Sequence, residues 1–78
     1  MAGITLENGR EIVFNLNAIT VREYRILRES TSQEETDPPF AKACGITVKE
    51  LEEVGTMDFF RLRRAFWLYA VNPLDDPN

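Results

Sequence analysis

The chain has 78 residues, of which 44% are hydrophobic and 28% charged, with a net charge of −4 at neutral pH. That length is one domain with a thin core, burying about 60% of the surface its unfolded form exposes. The composition excludes disorder throughout, no apolar run approaches the ~20 residues of a membrane span, and the absence of histidine removes the commonest general base and metal ligand.

The start, Met1-Ala-Gly-Ile-Thr5, lacks a basic stretch followed by an apolar one, so no secretory signal is read and a cytoplasmic address is expected. The lone Cys44 builds no internal disulfide. Charge is unevenly spread: residues 29–53 hold seven acids against two lysines, whereas residues 54–78 hold three of each sign. An acidic middle repels phosphate backbones and disfavours general nucleic-acid binding.

Ile4 to Phe14 reads as a β-hairpin around Asn8-Gly9. A two-residue loop pairs Ile4 with Val13 and scatters the apolar side chains over both faces. A three-residue loop, Glu7-Asn8-Gly9, pairs Ile4 with Ile12 and Leu6 with Arg10. Ile4, Leu6, Ile12 and Phe14 then share a face, and Gly9 takes a left-handed bulge position. The second register is preferred because a thin sheet needs one buried face, which helices must then cover.

Thr20-Val-Arg-Glu23 is a capping box opening a helix to about Glu29, with Val21, Tyr24 and Leu27 inward, Ile26 off that stripe, and Arg22, Arg25 and Arg28 solvated. Ser30–Asp37 is polar and acidic and reads as a mobile loop. Asp37-Pro38 is read as the cap and first turn of a short helix carrying Phe40, Ala41 and Ala43, stopped by Gly45. Thr47-Val-Lys-Glu50 is a second capping box, for a helix over about 48–54 with Val48, Leu51 and Val54 inward, ended by Gly55.

Thr56 or Asp58 is expected to cap the long last helix, and Asn72-Pro73 to stop it. Residues 1–72 are thus read as one domain and 73–78 as a flexible tail. On the last helix Phe59, Leu62, Phe66, Tyr69 and Ala70 fall on one stripe, and Phe60, Trp67 and Val71 on a second about a quarter-turn away, with Arg63 between them. One stripe closes a small domain. The second is either core wedged between the hairpin and the first helix, or a surface for another helix or a second copy of the chain. The expected fold class is α+β: an N-terminal antiparallel hairpin packed by three to four helices, the longest C-terminal.

The order of these motifs resembles the small tail assembly chaperones of long-tailed bacteriophages and prophages. The residues that carry the resemblance are the hairpin, the Thr20-Val-Arg-Glu-Tyr24 helix start, the step Ala43-Cys44-Gly45-Ile46-Thr47, which matches loosely, and Asp58 and Leu62 of the last helix. The resemblance spans roughly residues 4–68. It implies a non-enzymatic protein that binds the helical tape-measure protein, or another tail protein, during tail morphogenesis, and that is absent from the finished particle. Independently of it, Phe60, Trp67 and Val71 edged by Arg63 and Arg64 have the residue types enriched at binding hot spots, and are taken as the partner-binding residues. Self-association would use the same residues.

Other features point to less. Cys44 reads as a small buried hydrophobe. Glu50, Glu52 and Glu53 read as a solvated face without the converging oxygens a hard cation wants. Residues 48–71 also have the outline of a helix-turn-helix, so a small DNA-binding regulator contacting its site through Arg61 and Arg64 is the alternative. The acidic balance and the aromatic last helix weigh against it. No nucleophile pairing, phosphate-cradling loop or metal spacing is present, so no enzyme activity, cofactor or metal is expected.

Overall fold

The N-terminal chain reverses on Gly9, whose φ of 88° is the left-handed conformation that a bulged loop demands. The computed structural model describes residues 3–71. Strands β1 (Gly3–Thr5) and β2 (Glu11–Val13) pair antiparallel, with Ile4 opposite Ile12. The Leu6 N–H donates to the Arg10 carbonyl at 2.8 Å and the Gly9 N–H to the Leu6 carbonyl at 2.9 Å, while the Asn8 side chain accepts from the Arg10 N–H. This is the three-residue loop. It turns Leu6, Ile12 and Phe14 inward, each almost fully buried.

A 3-10 turn at Leu16–Ala18 follows, opened by Asn15, whose side chain accepts from the Asn17 N–H. Helix α1 (Val21–Glu29) starts on the Thr20–Glu23 capping box and α3 (Val48–Glu52) on the Thr47–Glu50 box, both made in full. Between them runs α2 (Gln33–Cys44), ended by Gly45 at φ 72°. The last and longest helix is α4 (Thr56–Val71). Over the described residues the fold is α+β, a two-stranded antiparallel sheet with four α-helices. The expected stop at Asn72-Pro73 and the tail 73–78 lie outside the described residues.

The core gathers Leu6, Ile12 and Phe14 from the hairpin, Leu27 from α1, Phe40, Ala41, Ala43 and Cys44 from α2, Leu51 from α3, and Leu62, Phe66 and Ala70 from α4. Phe66 is its hub. Phe14 and Phe40 meet its ring edge-on at centroid distances of 5.5 and 5.2 Å, the geometry aromatic quadrupoles favour.

Three expectations are corrected. Residues 33–37 are not a loop: α2 begins at Gln33, and Asp37 lies inside it rather than capping it. The Ser32 carbonyl accepts from the Glu35 and Thr36 amides, and Glu34 and Glu35 sit in the first turn, where the helix dipole favours acids. Pro38 and Pro39 are therefore interior to the helix. The i−4 carbonyls that their missing N–H groups would have served belong to Glu34 and Glu35, both exposed residues, while Pro39 itself is buried. Second, Val21 faces solvent at 66% exposure instead of joining the inward side of α1. Third, neither Thr56 nor Asp58 caps α4, since Thr56 is already its first helical residue. The Gly55 carbonyl accepts from the Phe59 N–H, and the Asp58 carboxylate reaches out of its own helix to the hairpin.

Candidate partner-binding surface

Helix α4 is held down at its front by Asp58. Its carboxylate is buried, accepting from the Glu7 N–H at 3.1 Å and from the Arg61 guanidinium at 3.1 Å; Arg61 also reaches the Glu7 carboxylate at 3.3 Å. Further along, Leu62 and Phe66 are sealed, and Phe59 and Tyr69 are half-buried beside them. Tyr69 stacks on Phe14 and its hydroxyl accepts from the Leu16 N–H. These contacts fix which way the rest of the helix faces.

Six large hydrophobic side chains are exposed among the described residues, and four are on α4: Met57 at 64%, Phe60 at 56%, Leu68 at 69% and Val71 at 71%. With Arg64 they step along the helix by 3, 4, 4 and 3 residues, which at 100° per residue confines them to an arc of about 80°. Opposite the core, α4 therefore presents a continuous apolar strip with one arginine at its centre.

Of the partner-binding residues read from the sequence, Phe60, Arg64 and Val71 lie on this strip. Trp67 and Arg63 do not. The Trp67 ring turns toward α1, half-buried, 5.1 Å from Phe66 and 6.4 Å from Tyr24. The Arg63 guanidinium lies 5.8 Å over the Phe59 ring. Both line a cleft of about 290 Å³ between α1, the front of α2 and α4, whose other walls include Leu27, Thr36 and Asp37. The residues thus divide between an outer face and a flanking cleft. Met57 and Leu68 were missed. Their signal is the 57-60-64-68-71 spacing itself, obscured because an arginine holds the middle position and because Trp67 drew the stripe about 40° toward α1.

Burial pushes the Cys44 thiol up to about 12 and away from nucleophilic use. Glu23 and Glu50 are held below the usual carboxylate range, first by the amides of Thr20 and Thr47 that they accept from, and then by Lys42 and Arg10 respectively. Glu50 pairs with Arg10, tying α3 to the hairpin. Among the described residues no group of three or more His, Cys, Asp or Glu side chains converges as metal ligands, and no helix is long and apolar enough to cross a membrane. Compared with known protein families, curated proteins and solved structures, the chain matches none of them.

Proposed function

We propose that this chain is a phage or prophage tail assembly chaperone that acts without catalysis in the host cytoplasm, laying the outer face of α4 against an apolar helical client, the tape-measure protein. The observation that carries the reading is the strip Met57, Phe60, Leu68 and Val71, all more than half exposed on a helix already anchored to its own core. Contiguous apolar surface of this kind marks a contact site, and an amphipathic helix is the natural complement of a helical face. The order of motifs that resembles the family is the second support.

The magnitudes suit a temporary hold. Burying what is exposed of four such side chains is worth about 4–8 kcal/mol in all. Association itself costs roughly 4–15 kcal/mol in lost freedom. The strip alone therefore gives weak, reversible binding, as required of a factor that must leave when tail-tube subunits arrive. The cleft beside Trp67 and Arg63 adds area along one flank.

The DNA-reading alternative stands second. Of its two candidate arginines, Arg61 is engaged by Asp58 and Glu7, and the side chains around Arg64 are apolar rather than hydrogen-bonding. A gel shift at low salt with micromolar protein should give no shifted band; a sequence-selective band would favour that alternative.

The direct test is retention of a tagged tape-measure protein on co-expression with this chain. Wild-type chain should be retained, the Phe60→Asp, Leu68→Asp double variant should not, and Trp67→Ala should be weakened if the cleft takes part. Failure of the wild-type chain to be retained overturns the proposal.

A further inference from the structure

We infer that the helix received by α4 carries a carboxylate in the middle of its apolar face, and that Arg64 recognises it. The inference rests on the docking reading above and names the chemistry of the partner. Arg64 is the third of the five strip positions, with Phe60 and Leu68 one turn away on either side and Met57 and Val71 at the ends. It is exposed and makes no ion pair among the described residues. The one acid among the described residues of α4, Asp58, is spent on the Glu7 amide and on Arg61.

An apolar helix laid along this strip takes the Arg64 guanidinium out of water. A desolvated charge without a partner is strongly unfavourable, whereas a carboxylate set opposite it accepts two parallel hydrogen bonds from the guanidinium fork. A single charged residue in an otherwise apolar seam also sets register, because sliding the partner by a turn separates the pair. The same position argues against a second copy of this chain as occupant. Paired parallel in register, or antiparallel with the whole strip overlapped, two copies place Arg64 against Arg64. The partner is therefore a different, complementary helix.

The test uses the full chain and three synthetic amphipathic helices of about 20 residues, identical except for Glu, Gln or Lys at the centre of the apolar face, followed by fluorescence anisotropy. The Glu peptide should bind wild-type protein at least roughly tenfold more tightly than the Lys peptide, with Gln between. Arg64→Glu should invert that order and Arg64→Gln should erase it; circular dichroism checks that both variants keep the fold. Three peptides that bind alike, or an order unchanged in Arg64→Glu, overturn the inference and leave the docking face standing. If no peptide binds, the docking face fails and the inference with it. Concentration-dependent dimerisation abolished by Phe60→Asp would assign the strip to a second copy. Anionic phosphatidylglycerol vesicles bound more tightly than the peptides, and released by Leu68→Asp, would assign it to lipid. Either result overturns the inference.

Discussion

Phe60→Ala and Phe66→Ala remove the same ring from the same helix and should differ several-fold in effect. Phe66 is 0% exposed and packed edge-on by Phe14 and Phe40. Its loss removes the buried ring and leaves a cavity, for about 3–5 kcal/mol. A chain of this length has roughly 4–12 kcal/mol in total, so the variant should sit near the edge of folding. Phe60 is 56% exposed, and its one ring neighbour is Phe59 at 6.3 Å. Losing its buried part forfeits about 1 kcal/mol, and the better helix propensity of alanine returns about 0.5 of that. The net effect is about 0.5 kcal/mol. Urea unfolding followed by circular dichroism reads both values from the midpoint at constant slope. If Phe60→Ala is as destabilising as Phe66→Ala, the Phe60 ring is covered in the native protein, and the argument for a free outer face falls.

Three further outcomes are expected. Gly3→Ala would drive a Cβ into the Ile12 carbonyl oxygen of the paired strand; the strand must shift, for about 1–3 kcal/mol by thermal unfolding, and an unchanged midpoint would refute the close approach. Asp58→Ala leaves the Glu7 amide without its acceptor and should be destabilising by about 2 kcal/mol, whereas Glu7→Ala, which loses only an exposed ion pair with Arg61, should be worth under about 0.5 kcal/mol. The capping carboxylates Glu23 and Glu50 titrate below their ordinary 4.5 when folded, so their contribution is fully present above that value and is lost as pH falls through the lowered folded values. Glu23→Gln with Glu50→Gln should flatten the acid limb of a stability–pH curve and leave its slope above pH 5 unchanged; an acid limb identical to wild type would count against the caps.

Much of this architecture is legible in the residues because several local rules leave one answer. Alternation of Ile4, Leu6, Ile12 and Phe14 admits a single loop length, and the observed Ile4–Ile12 pairing follows. Both Thr-x-x-Glu boxes and the Gly45 stop are local chemistry, and each forms where its spacing puts it. The front of α2 is hidden because proline favours the first turn of a helix, and that preference points to Asp37; the earlier start instead pairs the Glu35 and Thr36 amides with the Ser32 carbonyl and sets Glu34 and Glu35 at the positive end of the helix dipole. Val21 shows the limit of a helical wheel, which gives a direction and not a neighbour. On α4 the wheel finds the core stripe of Leu62, Phe66 and Ala70. The orientation of the outer strip is set by Asp58 and Tyr69 gripping the hairpin and the turn after it, contacts spanning more than fifty residues of sequence. No window along the chain contains them.

The paired prolines of α2 give that helix two unequal halves. Its rear, from Pro39 to Cys44, is anchored by packed side chains, and two successive i→i−4 rungs at its junction with the leading turn are missing because Pro38 and Pro39 carry no N–H. Gln33, Thr36 and Asp37 of that turn are also one wall of the hollow beside Trp67 and Arg63. A turn that lacks two such rungs costs less to displace than the packed rear, so on the proposed docking reading the flank would accommodate more varied client side chains than the strip beside it.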